Sequence, residues 1–391
     1  SQSESSVLLM GANLRWDMLG GDLTHVFKAN RASTESRDLD ASFGPPSPFK
    51  NDSESFRLAY QSTYRFDTPW IRHAVTGLVD RGHQEFDVRS SSDGSNAKRN
   101  QTGFAGEWRG NVLERVFLSA SVRHDDNDTF PDFTTWRAGI SVPFSELGIR
   151  PHASIGTGVK VPTMFEQFGT TSAFIPNPNL LPEESKGWDA GVEFAFLKGR
   201  ATIDVTYFNS DLKNLIKTVF PTCPGFDPTD PDSPKCAMPI NLAGESRRQG
   251  IETDARFQLS PNVSIGLAYT YLDTVDSEGN REIRRPPHSL RADLSYHFDD
   301  SRGLVRASVI YNGEMADEVW GMRTILDDYW LVSVAGSYRL NEALEIYGRI
   351  ENLFDEEYEE VFGFKTPGIA AYAGLRWTFD SERLGNGLSM K

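Results

Sequence analysis

No run of apolar residues in this 391-residue chain reaches the length of about 18 that a membrane-spanning helix needs. Cysteine is nearly absent. The two present, Cys223 and Cys236, are too few for a disulfide-built scaffold or a thiolate metal centre, and they lie in one Pro/Asp-rich stretch. That placement suits a single disulfide in an oxidising compartment. Basic charge is also short: 40 Lys+Arg against 55 Asp+Glu leave a formal charge of -15, without the basic face a nucleic-acid binder needs. The histidines (His25, His73, His83, His124, His152, His288 and His297) are scattered, and no two stand at ligand spacing. No long segment shows a convincing 3.6-residue apolar stripe, so amphipathic helices are not expected.

What the chain does contain is alternation. From Ser289 to Phe298, Leu290, Ala292, Leu294, Tyr296 and Phe298 interleave with Ser289, Arg291, Asp293, Ser295 and His297. Ile251–Leu259, Ala201–Tyr207 and Phe104–Val112 repeat the pattern. A period of two gives each strand one apolar and one polar face, and the fold class is all-β.

Connections alternate in length as well. Short ones fall at 19–22, 67–69, 145–148, 197–199, 260–262, 299–302 and 341–343. Long ones fall around 36–53, 89–101, 163–185, 216–240, 275–284 and 355–367. Antiparallel up-and-down strands with tight turns at one end and large loops at the other describe a transmembrane β-barrel. Its apolar face meets outer-membrane lipid and its polar face lines a wet lumen, where Arg57, Arg65, Glu107, Arg109, Glu193, Asp254, Arg291, Asp293, Arg349 and Glu351 are tolerated.

The strands number about 17, whereas bacterial single-chain barrels have even counts with both ends in the periplasm. The expectation is therefore the C-terminal part of a longer protein, with residues 1–379 as barrel and 380–391 as a tail of uncertain status.

Three segments carry a family resemblance. "GTGVKVPTMFEQF" (156–168) followed by "NPNLLPEESKGWDAGVEF" (177–194) resembles the mid-barrel signature of TonB-dependent outer-membrane receptors. "NLAGESRRQGIETDARF" (241–257) resembles their Asn…Gly-Ile-Glu strand. "GRIENLFDEEYEEVFGFKTPGIAAYAGLRWTF" (348–379) resembles their closing hairpin. Val159 and Val161 replace the usual Phe and Ala, and residues follow Phe379 where the family normally ends. The resemblance implies a barrel of about 22 strands around an N-terminal plug, so five strands and the plug would lie upstream. It further implies residence in the Gram-negative outer membrane and TonB-coupled import of a bulky nutrient. A ferric siderophore is the first expectation and cobalamin the alternative; a passive porin or a barrel enzyme are the rivals.

Site expectations follow. Cys223 and Cys236 form the disulfide. Aromatic and basic residues near loop bases are the substrate-contact candidates: Phe165, Phe168, Phe174, Phe220, Arg247, Arg248, Arg284, Arg285 and Trp320. His124 with Asp125, Asp126 and Asp128 is the one candidate cation cluster. No catalytic residue and no cofactor is expected.

Overall fold

A computed structural model of the chain describes residues 2–40, 47–89, 94–171, 173–227, 229–230, 233–319 and 322–378. The first strands are β1 (Gln2–Met18), β2 (Leu23–Asp40), β3 (Ser47–Asp67), β4 (Ile71–Arg89), β5 (Gly94–Val112), β6 (Val116–Asn127), β7 (Phe133–Ser141) and β8 (Ile149–Lys160). A short helix, α1 (Met164–Phe168), precedes β9 (Glu183–Phe196), β10 (Ala201–Lys213), β11 (Ile216–Val219), β12 (Met238–Asn241) and β13 (Glu245–Ser260). There follow β14 (Val263–Val275), β15 (His288–Phe298), β16 (Gly303–Asn312), β17 (Met315–Val319), β18 (Met322–Leu326), β19 (Tyr329–Arg339), β20 (Leu344–Glu351) and β21 (Ala370–Trp377). Seventeen of these strands belong to the main antiparallel sheet; β11–β12 and β17–β18 are separate loop ribbons.

The chain forms two compact units. The first comprises residues 1–143, 152–189 and 210–247. Its strands β1 to β7 pair in sequence, each with the next. The β1–β2 turn closes where Gly20 and Gly21 take positive φ. Exposed Leu14, Phe27, Val79 and Phe104 lie in one register row with half-buried Tyr60, giving the outward face its apolar character.

The opposite face of this unit holds a chain of ion pairs. Arg57 and Arg123 both donate to Asp80, each at 2.8 Å, and Arg123 also grips Asp125 at 2.6 Å. Asp80 and Asp125 are buried. Arg123 reaches from β6 across β5 to β4 because Gly103 leaves its path open; a Cβ there would lie 1.9 Å from the guanidinium.

The second unit comprises residues 144–151, 190–209 and 248–391. Strands β14, β15, β16, β19, β20 and β21 pair in that order. Leu294, Ala307, Val334 and Ile350 stand in one register row, and Leu294 is 45% exposed on an apolar face. Asp293, one residue away, turns to the other face, where it pairs with Arg291 at 2.8 Å and accepts from Ser308 at 2.6 Å. Arg349 and Glu351 pair on the polar face likewise, at 2.7 Å.

Two loops are shorter than the sequence pattern suggests. Strands occupy most of 36–53 and 89–101, the segments read as loops. Alternation fades there because both faces are polar, yet the backbone ladder continues. Cross-strand charge pairs such as Lys50–Glu35 (3.4 Å) and Lys98–Glu85 (2.5 Å) replace apolar contacts. Conversely, a long connection holding β17 and β18 separates β16 from β19, outside the long connections expected from the sequence.

Candidate functional site at the loop bases

In the first unit, α1 opens with a reciprocal cap. Thr163 Oγ1 accepts from the Glu166 N–H at 3.1 Å, and Glu166 Oε2 accepts from the Thr163 N–H at 2.7 Å. This fixes Gln167, which is fully buried. Arg99, buried near the start of β5, donates to Gln167 Oε1 (2.5 Å), the Pro162 carbonyl (3.0 Å) and Thr129 Oγ1 (2.9 Å). Its guanidinium also lies 4.9 Å from the Phe130 ring centroid. One cation thus ties the 128–132 loop to the proline-fixed 161–168 segment. A buried guanidinium needs its N–H groups hydrogen-bonded in this way.

The family-like asparagines latch the next loop. Asn177 Nδ2 donates to the Pro239 carbonyl at 3.1 Å, while Asn241 bonds the Leu181 N–H and C=O, both at 2.9 Å. Leu180 is buried beside this latch. A disulfide joins Cys223 and Cys236, and Phe174 bridges to Ala237 on the same loop.

In the second unit, Arg248 donates to both oxygens of Glu282 at 3.1 and 2.8 Å, with Arg285 3.8 Å from the same carboxylate. Arg284 Nε meets Asp317 Oδ1 at 2.8 Å. Asp317 also accepts from the Phe362 and Glu318 backbone N–H groups, each at 2.8 Å. Burial pushes the Asp317 pKa up, but those N–H groups and Arg284 outweigh it, so the carboxyl sits below its ordinary value. Beside it opens a cleft of about 480 Å³, lined by Asp327, Asp328, Glu356, Tyr358, Phe362 and Lys365 among others.

The substrate-contact candidates divide by type. Phe165 and Phe174 are brought together at 4.5 Å, with Phe86 edge-on to Phe165, as packing beneath a loop. Phe168 is half-buried at the end of α1, and Phe220 is exposed. The four arginines all have carboxylate partners, Arg247 pairing with Asp211 at 3.4 Å. Trp320 lies outside the described residues.

The His124 cluster is composed differently from the sequence expectation. Asp125 points to the opposite face and is consumed by Arg123 and Gln101. Asp128 accepts from the backbone and side chain of Asn100. His124 and Asp126 do share a face, and their third neighbour is Asp132. Adjacency in sequence is not adjacency on a strand, where neighbours point apart.

Arg99, Gln167, Asp317 and Tyr329 also belong to these clusters without being among the candidates expected from the sequence. Tyr329 is buried, accepting from Asn312 Nδ2 at 2.7 Å with its ring 4.4 Å from Tyr358. Nothing in the local pattern marks these residues, because their partners are remote in the chain.

Known proteins supply the context. The family described as "TonB dependent receptor-like, beta-barrel" matches residues 5–353. The vitamin B12 transporter BtuB of Photobacterium profundum is 33% identical over 268 residues, covering 67% of this chain and 40% of the relative. The vitamin B12 transporter BtuB of Vibrio vulnificus is 29% identical over 249 residues, covering 62% and 36%. The chain therefore spans about two fifths of the length of these relatives. The siderophore receptor PirA from Acinetobacter baumannii superposes with a TM-score of 0.80 at 14% identity, over 96% of this chain and 63% of that one, a likeness of fold. The long antiparallel strands and apolar register rows are those expected of such a barrel. The chain belongs to the TonB-dependent receptor family of Gram-negative outer-membrane β-barrels.

Proposed function

We propose that the full protein imports cobalamin or a closely related corrinoid across the outer membrane, driven by TonB. The observation carrying this reading is the 33% identity to a vitamin B12 transporter over two thirds of the chain. The loop-base chemistry supports it. The cleft at 325–328 and 355–368 is rich in carboxylates, and Arg248, Arg284 and Arg285 are engaged by Glu282 and Asp317. Such a surface favours a bulky cargo of low net negative charge over a polyanionic chelate.

A ferric siderophore is the second reading, favoured by the outlying arginines: Arg247 and Arg285 remain more than half exposed and could turn toward an anion. Titration of the full-length receptor in detergent with cyanocobalamin, and separately with ferric catecholate and hydroxamate chelates, separates the two by intrinsic tryptophan quenching. Saturable binding of the corrinoid alone supports the proposal; saturable binding of a ferric chelate alone overturns it.

A further inference from the structure

We propose that His124, Asp126 and Asp132 form a binding site for a divalent transition cation, of the Zn²⁺ class, at the tip of the β6–β7 hairpin. One imidazole nitrogen and two carboxylate oxygens lie within 4.8 Å of one another. His124 Nε2 is 3.0 Å from Asp126 Oδ1.

Groups outside the trio set the donors in place. Thr134, the register partner of His124, holds its Nδ1 at 2.8 Å. The ring orientation is thereby fixed and Nε2 is left facing the two acids, the outer-shell arrangement by which protein metal sites prepare an imidazole. The Asn127 N–H donates to Asp132 Oδ1 at 2.7 Å, turning that loop carboxylate back toward the strand. Among the described residues no Lys or Arg pairs with Asp126 or Asp132, so two like charges are gathered with only the imidazole beside them. A dication bound by all three donors would neutralise that charge.

The donor set selects the ion. Imidazole with carboxylates suits Zn²⁺, Cu²⁺ or Ni²⁺, whereas all-oxygen sets suit Ca²⁺ and Mg²⁺. Three protein donors leave at least one position for water or an external ligand. His124 and Asp126 share the hairpin face of Phe104, Val122 and Trp136, the apolar side, and are turned from the face of Asp80 and Arg123. The site is thus separate from the Asp80–Arg123–Asp125 ion pairs of the polar face.

The test is calorimetric titration of EDTA-stripped full-length protein in detergent with Zn²⁺. The wild type should show a saturable site that His124→Ala and Asp132→Asn each remove. Thr134→Ala, acting through ring orientation, should weaken it about ten-fold. Asp128→Asn, on the Asn100 side, should leave it unchanged. Heat-modifiable migration on gels confirms that each variant is folded, and Asp126→Asn serves if either first variant fails to fold. Unaltered Zn²⁺ binding in folded His124→Ala and Asp132→Asn, or displacement of Zn²⁺ by equimolar Ca²⁺, overturns the proposal.

Discussion

The Arg284 guanidinium meets the wholly buried Asp317 carboxylate at 2.8 Å, and the same carboxylate takes the Phe362 backbone N–H at 2.8 Å. Three chain segments are therefore pinned on one anion. Removing it by Asp317→Ala should cost about 2 kcal/mol, mainly because it leaves the Phe362 and Glu318 N–H donors unpaired, Arg284 being open to solvent. Limited proteolysis should then cut the 352–369 loop faster than in the wild type; unchanged cleavage rates would show that the contact is dispensable.

The same carboxylate gives a pH dependence. Its folded pKa lies below the unfolded value of about 3.9, so its contribution is fully present above that value. The contribution falls away as pH drops through the lowered folded pKa. Loop protease resistance should hold from neutral pH down to about 3.9 and decline in more acidic buffer, and Asp317→Asn should flatten that decline.

The two faces of β15 should respond oppositely to charge. Leu294→Arg, placed in the apolar register row, should cost about 2–4 kcal/mol in a folding titration into lipid vesicles. Asp293→Asn, on the wet face, should cost less than about 1 kcal/mol, because Arg291 retains solvent. Equal costs would reverse the assignment of faces.

Gly250 lies in the Gly-Ile-Glu signature for steric reasons. A Cβ there would stand 2.0 Å from the Tyr271 carbonyl oxygen and 2.9 Å from the Phe208 ring. Gly250→Ala should destabilise by about 1–3 kcal/mol, readable as a lowered urea midpoint for the heat-modifiable form.

The disulfide closes a short loop between Cys223 and Cys236. Cys223→Ser should loosen that loop by about 3 kcal/mol of lost cross-link stabilisation. Mass spectrometry of alkylated, non-reduced protein should find no free thiol in the wild type.

Strands and short turns were legible because membrane insertion forces alternation, as at Leu290–Phe298, and because tight turns need residues such as Gly20 and Gly21. The ends of β4 and β5 were not, since Lys98 and Glu85 pair on one face while Phe86 and Val88 on the other have only Ala97 and Ser95 opposite them to continue the pattern. The resemblance pointed to Asn177 and Asn241 without saying why; their mutual latch to Pro239 and Leu181 supplies the reason. Arg99 stayed hidden because Thr129, Pro162 and Gln167 are brought to it only by the fold. Asp132 was missed beside His124 for the same cause, the hairpin turn that returns it.

The alternation of Arg57, Asp80, Arg123 and Asp125 along one wall has an electrical consequence. Two cations and two anions cancel in the far field, so at a Debye length of about 10 Å this stretch acts as a multipole and not as a charge. An ion drifting past it is neither drawn in nor repelled until it comes within contact range. Swapping Asp80 for Asn would unbalance the quartet and turn the same wall into a weak anion attractor. The quartet closes only because Gly103 lets the Arg123 guanidinium pass over β5.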